Sequence, residues 1–374
     1  MRCGGTGPAS AVRRRPDRTD NPMLDVLDRE FCEIDTALGL RPQQRKLVRA
    51  AYRRLLHGGP PTDDVPLRAD IRPVVRTLAE GELRKFVQRT ADGLEIESVV
   101  VPMQRRGGQW KTLCVSSQIG CARACRFCET AQLGLLRDLT VAEIVGQVAA
   151  AQRDYGKVRN VVFMGMGEPL DNFDAVVKAL RVLMDPAGLS FAGERLTIST
   201  VGRVDGIRRL ARLGWRRLNL AVSLNAPNDE IRSRIMPHNR FEPMGELRAA
   251  LLDYPLRNCQ YFMIEYVLIP GVNDAHTHAL ELVEFLRPLK AVVNVIPYNP
   301  RTHSPWPAPT EESVVRFLNW LESAGQVCKR RLTKGRGQMA ACGQLGNREL
   351  RTAARRAAAH PPTPAADEHG ERAS

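Results

Sequence analysis

The chain has 374 residues, of which 43% are hydrophobic and 26% charged. That supplies a sizeable core and excludes a wholly disordered or collagen-like protein. No apolar run approaches the roughly 18 residues of a membrane span, and residues 1–20 carry arginines with no apolar stretch after them, unlike a secretory signal. Lysine and arginine number 55 against 41 acidic residues, a formal net charge of +14. Such an excess suits a polyanionic partner, although a composition bias toward Arg, Ala, Gly and Pro accounts for it equally well. There are nine cysteines, clustered in part and without an export signal. They point to metal or catalytic chemistry in a reducing, cytoplasmic compartment, not to a disulfide framework.

In chain order, residues 1–20, with the run Arg13-Arg14-Arg15, read as a disordered leader. Residues 21–92 read as a small helical domain with a cationic surface. Leu24, Leu27, Phe31, Ile34 and Leu38 recur at three- and four-residue steps, giving one apolar helix face. A second, basic helix is predicted over 46–56 and a third over 71–87. The pattern changes from about Leu94. Strands are predicted over 94–101 and 110–116, with Gly107-Gly108 turning between them. Helices then alternate with strands: helix 140–153, strand 161–164, helix 173–184, strand 196–199, helix 205–213, strand 218–223, helix 245–253, strand 262–269, helix 276–286, strand 292–296, helix 311–324. Counting 110–116, these are six β/α units, which imply right-handed crossovers and a parallel sheet. The fold class is α/β, with a partial (β/α)6 barrel over 93–350. An open doubly wound sheet is the alternative, and both place ligands at the carboxyl ends of the strands. Residues 351–374 read as a disordered tail. No feature signals an oligomer, so a monomer is expected.

The sharpest signal is Cys121-Ala-Arg-Ala-Cys125-Arg-Phe-Cys128. It offers three thiolates from one loop. A [4Fe–4S] cube takes four ligands, so three cysteines leave one iron open. Structural zinc prefers four ligands, commonly as paired Cys-x2-4-Cys units, and no second pair follows here. Several strand ends carry polar or small residues. Gly165-Met-Gly167-Glu168-Pro169 follows one strand, its glycines allowing close backbone approach to a ligand and Glu168 offering an acceptor to an ammonium. Ser199-Thr200, Ser223-Leu224-Asn225 and Asn299 follow others. One polar residue after a strand is usually a cap or turn; four at one barrel face form a pocket. Cys114, inside an apolar strand, reads as a buried small hydrophobe. Cys342 lies among Gly335, Gly337, Gly343 and Gly346, a setting that exposes a thiol to chemistry.

These segments, with Leu196-Thr-Ile-Ser199, Ala226-Pro-Asn-Asp-Glu-Ile-Arg232, Ile264-Glu-Tyr-Val-Leu268 and Ala340-Ala-Cys-Gly-Gln-Leu345, resemble the RlmN/Cfr family of dual-specificity radical S-adenosylmethionine (SAM) methyltransferases from about Leu94 to Leu345. The resemblance implies methylation of an adenine of 23S ribosomal RNA, at C2 or, in the Cfr branch, at C8, with tRNA a further substrate of some members. It implies Cys121, Cys125 and Cys128 as cluster ligands. Gly167, Glu168, Ser199, Ser223, Leu224, Asn225 and Asn299 become the SAM pocket. It implies that Cys342 carries the methyl group, that Cys114 resolves the RNA adduct, and that Glu97 is the general base. Glu97 by itself reads equally as a solvated outward strand residue. The N-terminal domain is expected to grip RNA and a flavodoxin-type donor to supply electrons. Asn225 stands where the family usually has His, and Asn does not titrate near neutral pH. The competing readings are a radical-SAM enzyme with another substrate, in which Cys342 is incidental, and an RNA-binding protein with a structural cluster.

Overall fold

A computed structural model describes residues 23–105, 107–301, 303–331 and 344–346. A short strand β1 (Leu24–Asp25) leads to α1 (Phe31–Leu38) and α2 (Pro42–Leu56), and β2 (Leu67–Arg68) returns to pair with β1 in parallel. Pro42 opens α2, where its missing N–H costs nothing. Val48, Ala51, Tyr52, Leu55 and Leu56 form the buried stripe of α2. The opposite face, with Arg45, Lys46 and Arg49, is exposed.

The helix expected over 71–87 is instead an antiparallel hairpin of β3 (Val74–Glu80) and β4 (Leu83–Arg89). Gly81 turns it with φ +56°, a conformation that glycine adopts without penalty. Three of the apolar positions, Val74, Val75 and Val87, are β-branched and suit a strand. The spacing by itself fits either period, and the neighbouring strand decides it. That neighbour is β5 (Glu95–Arg105), antiparallel to β4 and to β6 (Gly108–Cys114). The domain boundary expected at 92/93 therefore falls in the turn between two hydrogen-bonded strands.

Beyond β6, a small hairpin of β7 (Gln118–Gly120) and β8 (Leu135–Asp138) flanks the cysteine loop and the single-turn α3 (Thr130–Leu133). The expected alternation follows: α4 (Val141–Tyr155), β9 (Asn160–Phe163), α5 (Phe173–Met184), β10 (Leu196–Thr200), α6 (Val204–Arg212), β11 (Asn219–Ser223). Then come α7 (Asp229–Ile235), α8 (Met244–Leu252), β12 (Phe262–Leu268), α9 (His276–Leu286), β13 (Ala291–Pro297), α10 (Glu311–Ser323) and β14 (Cys328–Arg330). Thr140 and Glu143 cap α4 reciprocally, at 3.2 and 3.0 Å.

The main sheet runs β14-β13-β12-β11-β10-β9-β6-β5-β4-β3. Every pair from β6 to β14 is parallel. The row has two ends, so the six β/α units form a partial barrel. Its core includes Val161, Ile198, Leu220, Ile264 and Val293 from the strands, all buried, packed with Ile144, Val148, Val176 and Leu180 from the helices. The N-terminal helices are bolted to this core by Lys178 of α5, which pairs with Glu30 at 3.0 Å, and by the loop after α5. Asp185 accepts from the Phe31 N–H at 2.6 Å, the Tyr52 hydroxyl lies 3.1 Å from the same carboxylate, and Arg53 donates to Pro186 O at 3.0 Å. Among the described residues no helix is long and apolar enough to cross a membrane.

Candidate active site

One cavity opens at the carboxyl ends of the parallel strands. Cys114, Cys121, Cys125, Cys128, Gly167, Glu168, Ser199, Ser223, Asn225 and Asn299 all line it. Of the residues singled out from sequence, Leu224 and Glu97 do not, and Cys342 lies outside the described residues. Leu224 packs into the apolar core, 1% exposed, and only its carbonyl faces the site's framework.

The cysteine loop is held from both sides. Ala124 takes φ +57°, uncommon for a residue with a Cβ and typical of functional loops. Arg123 clamps the loop to Asp171 at 2.8 Å, and Arg203 holds the other oxygen of Asp171 at 2.8 Å. Arg203 also pairs with Glu242 at 3.0 Å, which in turn meets His238. Burial drives His238 toward its neutral form. The Arg126 N–H donates to Ile235 O at 2.9 Å, tying the loop to α7. Burial pushes the Cys121 thiol up to about 12 and raises Cys125 and Cys128 as well. Thiolates at these positions need a cationic partner.

The strand ends are built for close approach. A Cβ on Gly167 would stand 2.5 Å from Gln118 Cβ and 2.8 Å from its backbone nitrogen; one on Gly165 would stand 2.6 Å from Val115 O. The glycines therefore seat the loop after β9 against residues 115–118, so their need is met within the protein itself. Glu168 is 1% exposed. Its carboxylate accepts from Val201 N at 2.7 Å and Leu170 N at 3.0 Å. Burial still raises its pKa to about 7, more than these bonds lower it. Asn225 sits at φ +59°, a left-handed conformation in which Asn is enriched. Its Oδ1 accepts from Val267 N at 2.9 Å and its carbonyl from Asn273 Nδ2 at 2.7 Å, so it locks β11 to the end of β12.

Glu97 is not a solvated strand residue. It is 1% exposed and pairs with Lys85 at 2.8 Å, two buried charges from adjacent strands. It shares the face of β5 that carries the cavity residues Val99 and Val101. Its Oε2 also accepts from the Gly346 N–H at 2.9 Å. The preceding carbonyl, Leu345 O, accepts from Thr130 Oγ1 at 2.6 Å. Leu345 packs with Leu83, Val99 and Met166 beside Cys114. Residues 344–346 are thus seated at the cavity wall.

Residues 115–283 match the family model described as the radical SAM superfamily. A probable dual-specificity RNA methyltransferase RlmN 1 of Protochlamydia amoebophila is 46% identical over 280 residues, 75% of this chain and 77% of that protein. The dual-specificity RNA methyltransferase RlmN of Geobacter sulfurreducens is 43% identical over 338 residues, 86% of this chain and 92% of that protein. The chain belongs to the RlmN family of radical-SAM methyltransferases. The solved structure of a radical SAM methyltransferase from Sphaerobacter thermophilus superposes with a TM-score of 0.70 at 39% identity, covering 83% of this chain and 87% of that one.

As an RlmN-family enzyme it uses a [4Fe–4S] cluster and S-adenosylmethionine, and the donor set fits. Three thiols from one loop, Cys121 and Cys125 buried and Cys128 half-buried, face the same cavity as Glu168. No three His, Cys, Asp or Glu among the described residues converge on a single metal ion; a cube takes each thiolate on its own iron and needs no such point. Three further residues belong to this site and were not singled out from sequence. Glu265, in the middle of β12, lines the cavity, accepts from Asn294 Nδ2 at 3.0 Å and pairs with Arg331 at 3.5 Å. Arg331 also lines the cavity. Arg232 is fully buried behind the wall. The available signal for Glu265 was a lone charge in the apolar segment Ile264–Leu268; Arg232 sits among Asp229, Glu230 and Arg234, and nothing in the sequence set it apart.

Proposed function

We propose that the enzyme methylates C2 of an adenine in 23S ribosomal RNA, with tRNA as a second substrate, through a methylated cysteine. The observation that carries this reading is the seating of residues 344–346 beside Cys114. Cys342 precedes Gln344 by two residues in the chain. In this reading Cys342 carries the carbon and Cys114, which lines the cavity, releases it. The names of the relatives support RNA as the substrate class, and the exposed arginines of α2 offer a phosphate-binding face.

An aromatic C2 is not nucleophilic, so direct displacement of a methyl group from SAM is unfavourable there. In this reading Cys342 first takes a methyl group from SAM by displacement. When bound, the cluster supplies the electron that cleaves a second SAM and yields the radical that removes hydrogen from that methyl group. The radical carbon on Cys342 would then bond to the adenine, and the adduct would give up one electron, back to the cluster when it is bound, and the proton of the adenine carbon to Glu97. Cys114 would attack the Cys342 sulfur; the S–C bond breaks, its electron pair stays with the carbon, and that carbon takes up a proton to become the methyl group. The resulting disulfide is reduced by external thiols. Cys121, Cys125 and Cys128 hold the cluster. Gly167, Glu168, Ser199, Ser223, Leu224 through its backbone, Asn225 and Asn299 hold SAM. The enzyme works as a monomer in the cytoplasm with a flavodoxin-type donor.

The test is anaerobic incubation of the reconstituted enzyme with SAM, reductant and unmodified 23S RNA, read by mass spectrometry of the nucleosides. 2-Methyladenosine that vanishes in Cys342→Ala supports the reading. 8-Methyladenosine replaces C2 by C8. Accumulation of 5′-deoxyadenosine with neither product overturns the RNA assignment and leaves the cluster chemistry standing.

A further inference from the structure

Arg232, on α7, is the largest side chain buried to below 2% exposure. A guanidinium removed from water is costly unless an anion answers it. Its hydrogen-bond acceptors are all uncharged: Asn239 Oδ1 at 2.7 Å, Leu224 O at 3.1 Å, Ser223 O at 3.4 Å and Val201 O. The nearest carboxylates are already engaged. Asp229 accepts from Asn239 Nδ2 and Met244 N, each at 2.8 Å. Glu242 holds Arg203, Val204 N and His238. What remains is the cysteine loop. Ile231 and Ile235, on either side of Arg232 along α7, belong to the same buried apolar cluster as Cys125, and the Arg126 N–H of the cysteine loop donates to Ile235 O at 2.9 Å. Arg232 and Cys125 interact electrostatically.

We infer that Arg232 is a positioning residue for the radical step, its buried charge facing the Cys125 ligand and raising the reduction potential of the cluster. The inference rests on Cys121, Cys125 and Cys128 being the cluster ligands. With three thiolates a cube carries a net charge of −1 when oxidised and −2 when reduced. A fixed cation nearby, kept charged because arginine does not deprotonate in proteins, therefore favours the reduced form. Net charge around the sulfurs is one of the levers that set such potentials. One electron passes from an external reductant to the cluster, and no bond in the protein is made or broken. Arg232 also ties the ends of β10 and β11 together, so a structural role has to be separated from an electrostatic one.

The test is a redox titration of the reconstituted full-length enzyme, followed by the electron paramagnetic resonance signal of the reduced cluster, with iron content measured alongside. Arg232→Gln keeps a hydrogen-bonding head without charge; Arg232→Lys keeps the charge but loses the fork. The expected result is a reduced-to-oxidised ratio at fixed poise that falls at least about tenfold in Arg232→Gln, a shift of about 59 mV for one electron, while Arg232→Lys stays within about threefold of the parent. A parental ratio in an iron-loaded Arg232→Gln overturns the inference. So does a Lys variant that tracks Gln, or one that fails to load iron, since shape and not charge then matters. If the parent itself binds no iron, the ligand assignment has failed instead.

Discussion

The two halves of the ten-stranded sheet reach the active site in different ways. From β6 to β14 the strands are parallel, so all their carboxyl ends lie at one edge and each successive loop adds to the same cavity. From β3 to β5 they are antiparallel, and only one face of β5 contributes, through Val99 and Val101, with Glu97 behind them on the same face. In the parallel half, function follows from where a strand stops. In the antiparallel half it follows from which way a residue in mid-strand points.

The comparison can be broken experimentally, starting with the loop that the parallel half presents. Cys128→Ala is expected to lose cluster iron and SAM cleavage altogether, since two thiolates do not hold a cube; iron analysis and 5′-deoxyadenosine yield are the readouts. In the antiparallel half, Lys85→Met strands the Glu97 carboxylate in the interior and should destabilise the fold by about 3–5 kcal/mol, measured by urea unfolding. A loss under about 1 kcal/mol would mean that the pair behaves like a surface contact.

Glu168 sharpens the contrast through pH. Its folded pKa, raised by burial from 4.5 to about 7, means the folded protein binds a proton that the unfolded chain has already released. Stability of the metal-free chain should therefore fall as pH rises from about 4.5 to about 7, by about 3 kcal/mol in all. Glu168→Gln should flatten that slope, as seen by comparing urea midpoints at pH 5 and pH 8. The smallest effect expected is Gly167→Ala. Gln118 must move to admit the new methyl group and φ +100° is strained for alanine, a cost of about 1–3 kcal/mol that thermal unfolding will report.

Much of the site was legible because its residues are contiguous or punctuate strands. The Cys-x3-Cys-x2-Cys loop is complete within eight residues. Ser199, Ser223 and Asn299 mark strand ends that alternation had already located, and the six β/α units follow from hydrophobic period alone. Leu224 was carried along by its neighbours, and its side chain turns into the core. The stretch over 71–87 misled because its apolar spacing suits both periods, and the choice rests on β5, which begins eight residues downstream. For Glu97 the surface reading stood level with the catalytic one, because burial of a charge depends on its partner, and Lys85 reaches it from another strand.

What the sequence determined by itself is local: which segments are helix or strand in the β/α repeat, and which loop carries the thiols. What the tertiary structure decided is every answer that needs two distant segments at once. The docking of Gly346 on Glu97 spans 249 positions. The burial of Arg232 behind Cys125 joins a helix to a loop about a hundred residues earlier. The physical reason is that electrostatic cost and close packing depend on distances in space, which a chain read in order does not contain until it has folded.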